Sequence, residues 1–130
     1  MGHILIVEDD PMLRELIAEI LEASFDCRID LATDAFEAYA LATKIHFDLI
    51  ISDYEMPYVD GLTFVHALRE KPATLNCNTH VIILSGHSKP DPRFYQMNAV
   101  HFISKPPRLD RFIQLVKGLL DKEEYPCQLG

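Results

Sequence analysis

Two rhythms of apolar residues alternate along the chain. Short apolar runs recur, and Leu49-Ile50-Ile51 and Val81-Ile82-Ile83-Leu84 hold no polar residue at every second position. That pattern suits strands buried on both faces of a parallel sheet. It predicts strands over Ile4–Val7, Arg28–Ala32, Asp48–Ser52, His80–Leu84 and Val100–Ser104. Between them the spacing becomes helical. Leu13, Leu16, Ile17, Ile20 and Leu21 form one apolar stripe, after a Pro11 suited to a first helical turn. Ala35, Ala38, Tyr39 and Ala42 form a second behind Asp34 as N-cap. Gly61–Glu70 carries Leu62, Val65 and Leu68, and Leu109, Phe112, Ile113, Val116 and Leu120 mark the last helix, with Asp110 near its positive end. A short helix fits between Asp91 and Met97, although Pro90 and Pro92 crowd its start.

Strand and helix alternating five times predict an α/β fold, a doubly wound five-stranded parallel sheet of (βα)5 type. At 130 residues the chain is one domain with a real core. The domain is expected over 1–120, with a polar tail over 121–130.

Composition narrows the function. The formal charge of −8 repels phosphates and argues against nucleic acid as a direct partner. No apolar run reaches the ~20 residues of a membrane span, and the N-terminus lacks the pattern of a signal peptide. Cys27, Cys77 and Cys127 are widely spaced, odd in number and without a CxxC, which reads as reduced thiols in a cytoplasmic protein.

In such a sheet, ligands bind outside the carboxyl ends of the strands. Glu8, Asp9 and Asp10 follow the first predicted strand, Asp53 the third, Ser85 and Gly86 the fourth, and Lys105 the fifth. Neighbouring carboxylates repel one another and are costly to desolvate. Acids placed at the end of a buried strand therefore point to something positive. Asp10 is the exception and reads as a solvated start to the first helix.

The segments ILIVEDDPMLR, FDLIISDYEMPYVDGL, VIILSG and FISKP stand in that order. In them the chain resembles the receiver domain of bacterial two-component response regulators, of the chemotaxis-regulator kind. The resemblance spans about residues 3–118 and implies the flavodoxin-like strand order 2-1-3-4-5. It implies that Asp53 accepts a phosphoryl group from a histidine kinase or a histidine phosphotransfer protein. Asp9 and Asp53 would ligate Mg²⁺ (or Mn²⁺), Glu8 would act through a bound water, and the Glu55 backbone carbonyl would complete the protein ligands; hard oxygen donors suit such an ion. Lys105 would pair with Asp53 at rest and with a phosphoryl oxygen after transfer. Ser85 would donate its hydroxyl to the phosphoryl group, and Phe102 would be the aromatic switch. Glu55 and His87 would flank the path of hydrolytic water and set the lifetime of the signal. The Lys105–Pro106 bond would be cis. Such a domain catalyses only its own phosphorylation and slow dephosphorylation, and its output passes to a further partner.

The sequence departs from that family between Ser85 and Lys105, where it is shorter, so the fourth helix is in question. Asn98-Ala99 stands for the usual Gly-Ala, with Asn98 expected to take the left-handed turn. Two other functions share parts of this pattern. A phosphorylation-independent interaction module on the same fold would not need every acceptor-site position filled. A haloacid-dehalogenase-type phosphotransferase would want a second Asp where Glu55 stands.

Overall fold

The computed structural model describes residues 2–70 and 74–121. Five parallel strands, β1 (Gly2–Val7), β2 (Cys27–Ala32), β3 (Leu49–Asp53), β4 (Val81–Ser85) and β5 (Val100–Ser104), form one sheet in the order 2-1-3-4-5. Helices α1 (Pro11–Ser24), α2 (Ala35–Ala42), α3 (Gly61–Arg69) and α4 (Leu109–Leu120) cover its faces. The expected tail falls almost entirely outside the described residues.

The central strands alternate between two cores. Leu5, Val7 and Ile50 pack with Leu62, Phe64 and Val65 of α3. Ile4, Ile6, Leu49 and Ile51 pack with Ile17 and Leu21 of α1 and with Phe112 and Val116 of α4. Both faces are covered, which is why the apolar runs show no period of two.

Local chemistry sets where the helices begin. Asp10, Asp34 and Asp60 each cap one, accepting from the backbone N–H of Met12, Glu37 and Thr63 at 3.0, 2.8 and 2.8 Å. Each cap satisfies a donor that the first helical turn leaves unpaired. Asp10 is therefore more specific than a solvated acid. At the opposite end of the sheet, buried Asn76 acts as a hub. Its Nδ2 donates to the carbonyls of Ala42 and Ile45 at 2.9 and 2.8 Å, and its Oδ1 accepts from Phe47 N–H at 2.9 Å.

Three expectations change. The short helix before β5 is a single 3₁₀ segment, Pro92–Gln96, capped by Asp91. With prolines at 90 and 92 and so few residues, no α-helical ladder can form. The left-handed residue in the turn before β5 is Ala99, with φ of 58°, not Asn98. That turn is held from outside: the Arg69 guanidinium donates to the Asn98 carbonyl at 3.0 Å, and Val81 N–H donates to the Ala99 carbonyl at 2.9 Å. Finally, Cys27 is a free thiol, but Cys77 is disulfide-bonded. A disulfide depends on the approach of two Cβ atoms in space, which spacing along a chain does not report.

Candidate functional site at the carboxyl edge of the sheet

Strand register brings the site together. Val7 pairs with Ser52, so Glu8, just past β1, and Asp53, the last residue of β3, stand at one level. Asp53 pairs with Leu84, and Ser85 with Ser104, which places Ser85 and Lys105 beside them. The N–H of Lys105 donates to the Ser85 carbonyl at 2.6 Å, and the Lys105–Pro106 bond is cis.

Carboxylate oxygens of Glu8, Asp9 and Asp53 lie within 4.8 Å of one another. Glu8 and Asp53 are buried and Asp9 is exposed. Lys105 reaches across β4, placing Nζ 2.7 Å from Asp53 Oδ1 and 3.2 Å from Glu8 Oε1. The cluster thus holds three acids against one ammonium. Burial, a hydrogen bond with Asp9 and the charge of Asp53 push the Glu8 carboxyl up to about 7, against the partial relief of Asp10 N–H and Lys105. Burial alone would lower the Lys105 ammonium, but its bond to Asp53 and the charges of Asp53 and Glu8 outweigh it and hold it above its ordinary value. Hard oxygens, excess negative charge and an open side at Asp9 fit a small divalent cation such as Mg²⁺.

Gly61 shapes the floor. A Cβ there would lie 2.6 Å from the Asp53 carbonyl oxygen and 3.1 Å from Tyr54 Cα. Its N–H donates to the Tyr54 carbonyl at 2.7 Å. The absence of a side chain lets α3 begin close against the end of β3.

The remaining residues named from sequence fall around this centre. The hydroxyl oxygen of Ser85 accepts from His87 N–H at 3.1 Å, within its own loop. His87 Nε2 lies 2.7 Å from Glu55 Oε1, an exposed contact that joins the loop after β4 to the residues just past Asp53. Phe102 lines a cavity of about 390 Å³ with Ser85, Ile83, Leu62, Phe94 and Tyr54. Its ring packs edge-on to Phe94, with centroids 6.1 Å apart.

Sequence reasoning missed a set of contacts beside the centre. The Tyr54 hydroxyl donates to Asp91 at 2.8 Å, and Arg93 bonds Asp91, Asp60 and Thr63. An Asp-Pro pair ahead of a short segment signals a cap, but nothing in the sequence tells which residues that cap and its arginine reach.

The family model described as the response regulator receiver domain matches residues 4–117. The chain is 32% identical over 127 residues to the response regulator Rre1 of Synechocystis, covering 98% of this chain and 55% of that protein. It is 30% identical over 127 residues to a probable transcriptional regulator, ycf29, of Porphyra purpurea, covering 97% of this chain and 60% of that one. It therefore spans little more than half the length of these curated relatives. Among solved structures, the receiver domain of the Francisella response regulator 1452 superposes with a TM-score of 0.80 at 28% identity, over 92% of this chain and 97% of that one. The response regulator TrrA of Thermotoga maritima, in complex with Mg(2+)-BeF, superposes with a TM-score of 0.79 at 30% identity, over 92% and 99%.

Proposed function

The chain belongs to the response regulator receiver family, and from that premise we propose that Asp53 is its phosphoryl acceptor, served by Mg²⁺, Lys105 and Ser85. One observation carries the reading. The buried Asp53 carboxylate stands among Glu8 and Asp9 with the Lys105 ammonium 2.7 Å away.

The chemistry is a displacement at phosphorus. A carboxylate oxygen of Asp53 forms the new O–P bond as the P–N bond to a phosphohistidine breaks. The leaving imidazole takes a proton from solvent. Such transfers depend on positioning and on neutralising the spread charge more than on nucleophile strength. Asp9 and Asp53 would hold the ion, Glu8 would support it through a water, and the Glu55 carbonyl would complete the protein ligands. When bound, Mg²⁺, or Mn²⁺, also hard, would supply positive charge against the transferring group. Lys105 exchanges its Asp53 oxygen for a phosphoryl oxygen. Ser85, whose oxygen accepts from His87 N–H, donates its hydroxyl proton to a phosphoryl oxygen, and Phe102 turns into the cavity it lines. The pair of Glu55 and His87 governs water's approach and hence the lifetime of the acyl phosphate.

This is a signalling domain, and the only chemistry we assign to it is its own phosphorylation and dephosphorylation. The donor is a histidine kinase or a histidine phosphotransfer protein, and the setting is the cytoplasm; among the described residues no helix is long and apolar enough to cross a membrane. The relative from Porphyra purpurea is named as a probable transcriptional regulator. A DNA-directed output is accordingly proposed for a longer protein carrying this receiver. Within the chain itself, with a formal charge of −8, output acts through another protein surface. The receiver occupies residues 1–120.

The test is incubation with Mg²⁺ and acetyl phosphate followed by intact mass. The chain gains about 80 Da, the mass of one phosphoryl group. No gain with Mg²⁺ saturating overturns the assignment in favour of a phosphorylation-independent module.

A further inference from the structure

The contacts missing from the sequence reading form a continuous path. Tyr54 directly follows the acceptor, and its hydroxyl donates to Asp91 Oδ2 at 2.8 Å. Asp91 also accepts from Arg93 N–H at 2.9 Å and from the Arg93 guanidinium at 2.9 and 3.2 Å. The same guanidinium reaches Asp60 Oδ2 at 2.9 Å and Thr63 Oγ1 at 3.0 Å, at the start of α3. The Asp91 carboxyl is held well below the usual range, chiefly by the Arg93 guanidinium and backbone N–H and then by the Tyr54 hydroxyl. A single exposed ion pair stabilises little. Here one carboxylate gathers a phenol, a guanidinium and a backbone donor, and such groups act as a unit.

The path lies where a helix would otherwise stand. The 3₁₀ segment brings few backbone hydrogen bonds of its own: Phe94 N–H donates to the Asp91 carbonyl at 2.9 Å and Met97 N–H to the Phe94 carbonyl at 3.2 Å. Side chains therefore replace a helical ladder in fixing this edge. The loop from Ser85 to Asp91 is tied twice to the residues just past the acceptor, through His87 to Glu55 and through Asp91 to Tyr54. Between those ties the Ser85 hydroxyl is engaged by His87 N–H, at 3.1 Å. That oxygen accepts while its own proton stays free to donate, so drawing the hydroxyl toward a phosphoryl group on Asp53 pulls on the loop that begins at Ser85. Phe94, within the 3₁₀ segment, packs on Phe102, so the same movement reaches the ring that lines the cavity.

We propose that Tyr54, Asp91 and Arg93 are positioning residues for Ser85, binding its loop in the resting arrangement and so setting how readily the domain takes up a phosphoryl group. The proposal rests on the receiver reading above. Its energetic content is a two-state balance. Contacts made only at rest lower the fraction of competent domain, and removing them raises apparent affinity for whatever binds the active arrangement.

The experiment is a calorimetric titration of beryllofluoride, with Mg²⁺ saturating, into the whole chain and its variants, beside thermal unfolding of each. Arg93→Gln lowers the half-saturating beryllofluoride concentration about fivefold, the equivalent of about 1 kcal/mol. Arg93→Lys, which keeps the charge but not the fork, falls between. Tyr54→Phe shifts the same way, and its combination with Arg93→Gln adds less than the sum, because both act through Asp91. Thr79→Ala is the control. Thr79 bonds Asn76 and the Phe47 carbonyl far from the site, so its loss lowers the unfolding temperature and leaves the titration unchanged. If Arg93→Gln behaves like Thr79→Ala, with lower stability but unaltered beryllofluoride affinity, the network is only structural and the proposal falls. If the wild-type chain takes up no beryllofluoride and gains no mass from acetyl phosphate, the receiver reading fails first and this one with it.

Discussion

Nζ of Lys105 lies 2.7 Å from Oδ1 of Asp53, although β4 separates the strands that carry them. The lysine stem crosses a whole strand to place one positive charge among three acids. That geometry sets one ammonium, shared with Glu8, against the Asp53 carboxylate, and the proposed acceptor role would have the lysine exchange that carboxylate oxygen for a phosphoryl oxygen.

If Asp53 is the acceptor, Asp53→Asn gains no mass with acetyl phosphate and Mg²⁺, while its far-ultraviolet dichroism matches wild type. Lys105→Ala keeps the acceptor but loses the charge that stabilises the transferring group, so it is phosphorylated more slowly. An ~80 Da gain in Asp53→Asn equal to wild type removes Asp53 from the mechanism.

Glu8 predicts a pH dependence for the metal-free chain. An unfolded glutamate titrates near 4.5, whereas folding pushes this one up to about 7. Between those values the folded chain binds more protons than the unfolded one, so stability falls as pH rises through this window and levels off above it. The loss is on the order of 1–3 kcal/mol. Urea titrations in EDTA across pH 4.5–8 measure it, and Glu8→Gln flattens the profile. Mg²⁺ restores stability at pH 8 by mass action. An unchanged slope in Glu8→Gln rules out Glu8 as the source.

The pair of His87 Nε2 and Glu55 Oε1, 2.7 Å apart, joins the loop after β4 to the residues just past Asp53. Removing the imidazole frees Glu55 to orient water. His87→Ala therefore loses its phosphoryl group faster, roughly fivefold for a change of about 1 kcal/mol in barrier. The decay of purified phosphorylated domain, followed by intact mass with Mg²⁺ saturating, reads this directly. Equal decay in both proteins would show that His87 has no part in timing.

Gly61→Ala tests the floor. Its methyl group would meet the Asp53 carbonyl at 2.6 Å. Backbone must shift, at a cost of about 1–3 kcal/mol, as for other overpacked sites. Phosphorylation slows as well, because β3, which carries Asp53, is displaced. Denaturant unfolding and the rate of mass gain should change together; a loss of stability with an unaltered phosphorylation rate would mean that α3 alone gives way.

The sequence by itself determined the strands, the four α-helices and the acids, hydroxyl and lysine that end the strands. Runs such as Val81-Ile82-Ile83-Leu84 must be buried on both faces, and only a covered parallel sheet allows that. Caps such as Asp34 act on N–H groups a few residues away, so they too are local signals. Tertiary structure decided what depends on approach across the chain. Register placed Asp53 level with Glu8 and let Lys105 span β4. The left-handed turn fell on Ala99 rather than Asn98, in backbone whose carbonyls Arg69 and Val81 bond from far along the chain. Arg93 reached Asp60 across 33 positions, and Cys77 took a disulfide. Local pattern reports the period of a chain and the cap of a helix; it carries no distance between residues far apart in sequence, and in this protein the details of the site beyond its ligands are made of such distances.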